Sequence, residues 1–304
     1  MNQWTVEGPE RITVDEAIRA LHVRVIDGTV NVVAAEGPAR LEVTELRGEP
    51  LHVTLVDGVL TVTYKDLNSW GDFGNVLKSM DSVKTWFSAL RNKRVVGVTV
   101  TVPASTEVKV GTVSAGTTVS GFAEHVSVQS LSGDATLVGL NGRTDANTVS
   151  GDVDAQSVAG QLKVNTASGR LTVVAGTADR VQVNSVTGAV TLDLDVAAET
   201  DVKVTTVSGA VAIRIPSLAD AKVEAGSTSG DITSTFEQLK IAGNWGAKRL
   251  SGQLGEGRGS LNVTTVSGAV TVLRRPESEE EAPVRELPGP SLDKPAGPDF
   301  TKEA

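Results

Sequence analysis

The octapeptide VTTVSGAV occurs at Val204 to Val211 and again, letter for letter, at Val263 to Val270. Looser copies fill the chain between Leu131 and Val272. Each has an apolar-alternating run, a Ser or Thr, one further residue, Ser-Gly (once Thr-Gly), and a second apolar-alternating run. The pairs begin at Ser132, Ser150, Ser168, Thr187, Ser208, Ser229 and Ser267, with spacings of 18, 18, 19, 21, 21 and 38 residues. A supersecondary unit that recurs at such a period cannot bury its apolar face alone, so copies must stack on one another.

Aligned on the seven turns, the columns acquire physical meaning. Four residues before each turn stand only Val and Ala, from Val128 to Val263, and three residues after it only Ala, Val, Leu and Ile, from Ala135 to Val270. Two residues before it stand only hydroxyls, from Ser130 to Thr265. Parallel stacking brings equivalent residues to within about 4.8 Å, which packs small β-branched side chains in columns. The hydroxyls then bond along their own column or to corner backbone groups. Glycine at the corner supplies either φ > 0 or room for close approach between coils. The 38-residue gap holds an insertion, FEQLKIAGNWGAKRLSGQLGEGRG, with a further Ser-Gly at Ser251.

The expected fold is therefore all-β: a single, β-helix-like β-solenoid of roughly 20-residue rungs. Aromatics are only 3% of the 304 residues, so its core must be Val, Leu, Ile and Ala. The solenoid is expected over 1–273, with N-terminal strands at 1–66 and regular repeats at 95–273. In the first stretch, VRVIDGTVNV and LHVTLVDGVLTVTY alternate around Asp-Gly pairs. These read either as hairpins or as degenerate early rungs, and the recurrence of strand-turn-strand favours rungs. Pro103 marks a strand end or edge.

Two segments depart from the pattern. Residues 67–94 space Phe73, Val76, Leu77, Met80, Val83, Phe87 and Leu90 as a short amphipathic helix would, with Trp70 and Trp86 beside them. Its charged residues (Asp72, Lys78, Asp81, Lys84, Arg91, Lys93, Arg94) sum to +3 in a chain of net charge -9. Packing on or capping the solenoid is one role. The other is docking to a protein partner or peripheral membrane contact, through Trp70, Phe73, Leu77, Met80, Trp86, Phe87 and Leu90. Residues 274–304 hold six of the eleven prolines and the acidic run Glu279 to Glu281, and read as a disordered tail.

The rungs of form T-x-SG-x-V between Val95 and Val272 resemble the bacterial putative-adhesin family, a domain-of-unknown-function group of β-solenoid proteins. The N-terminal strands, NWGAKRLSG (Asn244 to Gly252) and TTVSGAVTVLRRP (Thr264 to Pro276) resemble its actinobacterial members. The resemblance implies a fold and an adhesin-like role, and carries no catalytic residues.

Other chemistries find little support. There is no cysteine, hence no disulfide or thiolate site. The acidic balance argues against a nucleic-acid partner. Neither a signal sequence nor a membrane-spanning apolar run is evident, so a cytoplasmic location is expected. Asp134, Asp152 and Asp231 each follow a Ser-Gly, but the equivalent positions elsewhere are Arg170, Ala189, Ala210 and Ala269, so they read as solvated turn residues and not as a calcium site. His22, His52 and His125 have no ligand spacing. The loop Gly252 to Ser260 lacks the Gly-Lys-Ser/Thr of a phosphate cradle and reads as a hairpin or irregular corner. Repetition of Ser-Gly at every corner, without the preceding Gly of a nucleophile elbow, marks those serines as architectural. No catalytic residue, metal or cofactor is expected. The function expected is a scaffold or adhesin-like interaction protein, with a self-associating filament element of bactofilin type and a polysaccharide-active enzyme as alternatives.

Overall fold

The computed structural model describes residues 2–67, 94–195, 199–244 and 246–276. Among them are 25 strands and one short 3-10 turn, Lys65–Leu67, so the chain is all-β with almost no helix. The first strands are β1 (Asn2–Val6), β2 (Glu10–Val14), β3 (Ala20–Val25), β4 (Asp27–Ala34), β5 (Ala39–Arg47), β6 (Leu51–Val56), β7 (Val59–Thr63) and β8 (Val95–Val102). The central ones are β9 (Glu107–Thr112), β10 (Gly116–Ser120), β11 (Val126–Ser130), β12 (Ala135–Val138), β13 (Arg143–Thr148), β14 (Val153–Gln156), β15 (Ala159–Thr166), β16 (Leu171–Ser185) and β17 (Val190–Leu194). The last are β18 (Asp201–Thr206), β19 (Val211–Ile215), β20 (Ala221–Ser227), β21 (Ile232–Ser234), β22 (Lys240–Asn244), β23 (Ala247–Leu254), β24 (Gly259–Thr265) and β25 (Val270–Arg274). All are bonded into one sheet that wraps nearly closed around its core.

Two parallel ladders make up most of that sheet. In ladder I, β9, β11, β13, β15, β16 and β18 pair in order, with Val110, Val128, Ala146, Val164, Val183 and Val204 in register. In ladder II, β10, β12, β14, β16, β17 and β19 do the same, with Thr117, Ala135, Val153, Leu171, Val190 and Val211 in register. The long strand β16 belongs to both. The inward columns of the two ladders are buried and share one core, in which Tyr64, Phe122 and Phe236 are the only aromatic residues among the described ones. The register offsets equal the sequence spacings, so the apolar columns read from the sequence are columns in space.

The last rungs are not stacked in chain order. β24 lies between β18 and β20, with Val204 opposite Val263 and Val263 opposite Ala225. β25 likewise lies between β19 and β21, with Val211 opposite Val270 and Val270 opposite Ile232. The two identical octapeptides are thus direct neighbours. The insertion expected in the 38-residue gap supplies β22 and β23, an antiparallel pair that covers β20. Ser251 and Gly252 lie inside β23 and form no corner.

The N-terminal stretch contains both rungs and hairpins. β3 pairs in parallel with β7 and β9, and β4 with β8 and β10, so these strands extend the ladders. β5 and β6 then pair antiparallel to β8 and β7, and β2 and β1 cover those in turn. The two Asp-Gly pairs do different work. Asp57 and Gly58, at φ 49 and 73, close the β6–β7 hairpin, a turn that needs positive φ at both central residues. Asp27-Gly28 instead opens β4 and passes close to the backbone of Val96. β8 ends at Val102, immediately before Pro103.

The corner glycines serve close approach and not positive φ. None of the seven glycines following the corner Ser or Thr has positive φ. A Cβ on Gly151, Gly169, Gly188, Gly209 or Gly268 would sit 1.8–2.1 Å from the carbonyl oxygen of the corner glycine one layer before it. Gly188→Ala, which would drive a methyl against Gly169 O at 1.8 Å, is expected to cost about 1–3 kcal/mol or more. Gly116→Ala meets nothing within 4 Å and is expected to be neutral or stabilising by up to about 1 kcal/mol. Denaturant unfolding midpoints of the two variants check this.

Candidate functional site

Each corner hydroxyl two residues before the Ser-Gly pair is buried. Thr148 Oγ1 donates to Gly151 O at 3.0 Å and lies 3.1 Å from Thr166 Oγ1. Thr166, Thr206 and Thr265 accept from the N–H of Gly169, Gly209 and Gly268 at 2.9–3.0 Å. The corner Ser or Thr itself turns outward, and its hydroxyl donates to a carbonyl one layer away: Ser150 to Leu131 O at 3.2 Å, Ser168 to Val149 O at 3.2 Å, Thr187 to Ala167 O at 3.1 Å. Both hydroxyl columns are therefore committed to backbone partners.

The aspartates after Ser-Gly also serve the backbone. Asp134 Oδ1 accepts from Asp152 N at 2.9 Å, and Asp152 Oδ1 from Arg170 N at 2.7 Å. Asp231 pairs with Lys248 on β23, several layers from the other two. No cluster of three or more His, Asp or Glu side chains suited to a metal ion occurs among the described residues. The loop Gly252 to Ser260 crosses the end of β20, so that β23 and β24 flank it. Arg258 in that loop is tied to Asp220 at 2.7 Å.

The outer face of ladder I gathers groups that lie far apart in the sequence. His125 places Nε2 2.9 Å from Asp145 Oδ2 and Nδ1 3.4 Å from Glu107 Oε1, while Arg143 Nε donates to Asp145 at 2.8 Å. His22 lies opposite Lys109 in the same face, and His52 lies apart on β6. Burial lowers the imidazole pKa of His22, and Lys109 and Arg24 lower it further. Burial pushes the Asp145 carboxyl up, but hydrogen bonds and charge from Arg143 and His125 outweigh it and hold the group below the usual carboxylate range. Glu107, His125 and Arg143 are 18 residues apart in turn, so the 18-residue period applied to polar positions would have found them. The repeat spacing, here 18 and then 19 residues, also aligns Asn147, Asn165 and Asn184, whose amides bond in a ladder at 2.7 and 2.8 Å. Where ladder I meets the cap, a groove of about 420 Å³ is lined by Glu224, Gly226, Lys248, Arg249, Asn262 and Thr264 among others, with Arg249 paired to Glu224 at 2.8 Å.

At the other end of the chain's course, β25 runs through Arg274, one residue into the segment assigned to the tail. Arg275 Nη2 then bonds Asp193 at 2.6 Å, and Arg214 holds the other carboxylate oxygen at 2.5 Å. Residues 277–304 lie outside the described ones.

The docking residues Trp70, Phe73, Leu77, Met80, Trp86, Phe87 and Leu90 also lie outside the described residues. The described residues on either side of them form an ion-pair cluster. Arg94, buried, bonds Asp66 through Nη1 at 2.8 Å and Glu49 through Nη2 at 2.7 Å, and lies over the Tyr64 ring at 5.2 Å. Burial pushes the Tyr64 phenol up to about 12. This ion pair ties Arg94, the last residue of the insertion, to Asp66, the residue just before its first. It also removes Arg94 from the charge available for docking, so the +3 surplus falls to +2 (Lys78, Lys84, Arg91 and Lys93 against Asp72 and Asp81).

Two wrapped ladders with hydroxyl and glycine corners define an all-β stacked-repeat protein. The family described as Toastrack DUF4097 matches residues 18–273, and the chain belongs to that family. No curated protein matches it. Among solved structures it is similar to a "putative lipid binding protein" from Parabacteroides distasonis, at 13% identity over 89% of this chain and 98% of that one, TM-score 0.48. It is also similar to a "putative adhesin" from Bacteroides fragilis, at 11% identity over 90% and 97%, TM-score 0.43. Another "putative adhesin" from Parabacteroides distasonis matches at 13% identity over 90% and 97%, TM-score 0.41. No helix among the described residues is long and apolar enough to cross a membrane.

Two measurements check the site chemistry. Thr166→Val removes the acceptor for Gly169 N–H and the neighbour of Thr148 Oγ1, and is expected to cost about 1–3 kcal/mol of stability. Asp145 has its pKa depressed in the folded state, so its contribution is full above the unfolded carboxylate pKa, about 4, and is lost as pH falls through the lower folded value. Asp145→Asn is therefore expected to lose about 1–2 kcal/mol at pH 7 and to flatten the acid limb of a stability-against-pH curve. Unchanged acid sensitivity would show that Asp145 contributes nothing to it.

Proposed function

We propose that the chain is a non-enzymatic β-solenoid of roughly 20-residue rungs, an adhesin-like scaffold that presents its outer ladder faces to a protein partner. The observation that carries this reading is the commitment of the corner hydroxyls: repeated in near-equivalent settings, they hold backbone groups together and leave none singled out for chemistry. The structural neighbours named as adhesins are in keeping with it. The cytoplasmic location expected from the sequence and the likeness to actinobacterial members belong to the same proposal, and cell fractionation tests the former.

The insertion at 67–94 is proposed as a second contact point, docking to a partner or a membrane surface from the anchor that Arg94 and Asp66 make. The filament reading has less in its favour, because β23 and β22 cover one end of ladder I and β6 and β1 the other with antiparallel strands. The covered ends of ladder I offer no parallel edge for another copy to continue, whereas ladder II ends on the short parallel strand β21.

Co-purification from native lysate, comparing the intact chain with Trp86→Ala/Phe87→Ala, is expected to recover the same partner with both. Loss of capture by the double variant would move recognition from the ladder faces to 67–94. A sedimentation coefficient that rises steadily with concentration would restore the filament reading, and turnover lost on changing a corner serine would overturn the non-enzymatic one.

A further inference from the structure

The outer face of ladder I carries one cation on each of four consecutive strands: Arg143 on β13, Lys163 on β15, Arg180 on β16 and Lys203 on β18. The register places Arg143 opposite Gln161 and Gln161 opposite Arg180, whereas Lys163 lies opposite Gln182 and Gln182 opposite Lys203. The cations thus alternate between two columns while advancing one strand at a time. Asp145 and Asp201 share this face: Arg143 is paired with Asp145 at 2.8 Å, and Asp145 lies opposite Lys163 in register, so four cations stand against two carboxylates along the stack. Lys163 and Lys203 have no ion pair among the described residues. Arg180 is 62% exposed and meets Asp201 only at 3.4 Å. Alongside runs the amide ladder Asn147, Asn165, Asn184, whose remaining donor and acceptor capacity faces outward.

We propose that this face binds an extended acidic polysaccharide laid along the stack across the strands. The proposal rests on the reading of the protein as a non-enzymatic interaction surface and names a ligand for one of its faces. Charge complementarity is the first argument, since from β13 to β18 the face carries Arg143, Lys163, Arg180 and Lys203 against Asp145 and Asp201, a net of +2 in a chain of net charge -9. Charge density is the second. Duplex nucleic acid carries one charge per about 1.7 Å and would leave most of its phosphates unpaired here. Single strands bind by stacking bases on aromatic rings, and the outward positions from β9 to β18 hold none. A bilayer surface is bound by burying large apolar side chains beside the cations, and these positions are Lys, Arg, Asn, Gln, Asp, Glu, Ser, Thr and Gly. Spaced cations with a run of amides between them suit a polymer of spaced carboxylates and many hydroxyls.

Ladder II provides the internal comparison. Its outward column holds Thr118, Thr136, Asp154, Thr172 and Thr191 in register, with no cation among them.

Titration calorimetry of the full chain with an oligogalacturonate tests the assignment. Binding is expected at low ionic strength and is expected to weaken as salt is added. Lys163→Gln/Lys203→Gln is expected to weaken it about three- to tenfold, with the unfolding midpoint unchanged, while Thr172→Ala/Thr191→Ala leaves affinity as it was. Absence of binding at low salt, equal affinity in the lysine double variant, or tighter binding to phosphatidylglycerol vesicles or oligothymidylate would overturn the proposal. Absence of glycan binding with partner capture intact would sink this face assignment and leave the scaffold reading standing. Shortening of the oligosaccharide during the titration would do the reverse.

Discussion

One contact sets the geometry of the whole stack: the approach of each corner glycine to the corner carbonyl of the next layer. Ladder hydrogen bonds hold neighbouring strands at one spacing, and the corners joining the two ladders must keep the same spacing or the ladders diverge. A Cβ about 2 Å from the carbonyl oxygen would forbid it. Once the corner is that tight, its glycine N–H is removed from water and needs an acceptor, which the buried Ser or Thr two residues before the pair supplies. The apolar columns fall into register on either side. Glycine, hydroxyl and valine columns are thus three consequences of a single distance.

That economy leaves the inside of the protein little freedom to carry anything particular to it. Inward positions are held by packing, and corner positions by backbone partners. Outward positions on the ladders are bound only by strand alternation, and there the two faces diverge into a basic, amide-rich side and a threonine-rich one. The groups that do not repeat, such as the His125–Asp145–Glu107 cluster and the Asp193–Arg275 pair, stand on those outer surfaces or where the stack is closed off.

The columns were legible because parallel stacking aligns like with like, so the alignment of Ser132 with Ser150 and Ser168 is also a map of neighbours. The order of the last rungs was not. By column, Ala225 or Val263 fits beside Val204 equally well; Val263 stands there, with Ala225 beyond it and the β22–β23 pair covering β20. The only sequence hint was the identity of the two octapeptides. An eighth corner, Ser114-Ala115, has no glycine to mark it, although Val110, Thr112 and Thr117 stand in register with its columns. It rests on Ile26, to whose carbonyl Ser114 N and Oγ donate at 2.8 and 3.3 Å, and not on another Ser-Gly turn. Asp-Gly could not distinguish hairpin from rung, because the dipeptide specifies a bend while its partners in space decide which strands it joins.

The placement of β24 and β25 between earlier strands has a mechanical consequence. A strand at the end of a stack can be peeled away one hydrogen bond at a time. Here the chain leaves the ladders from a strand clasped on both sides, so tension applied beyond Pro276 loads both neighbouring strands in shear at once. The protein is fastened in the manner of a tucked stitch: it resists pulling from that end, and its stack cannot be lengthened there by appending another copy of the repeat.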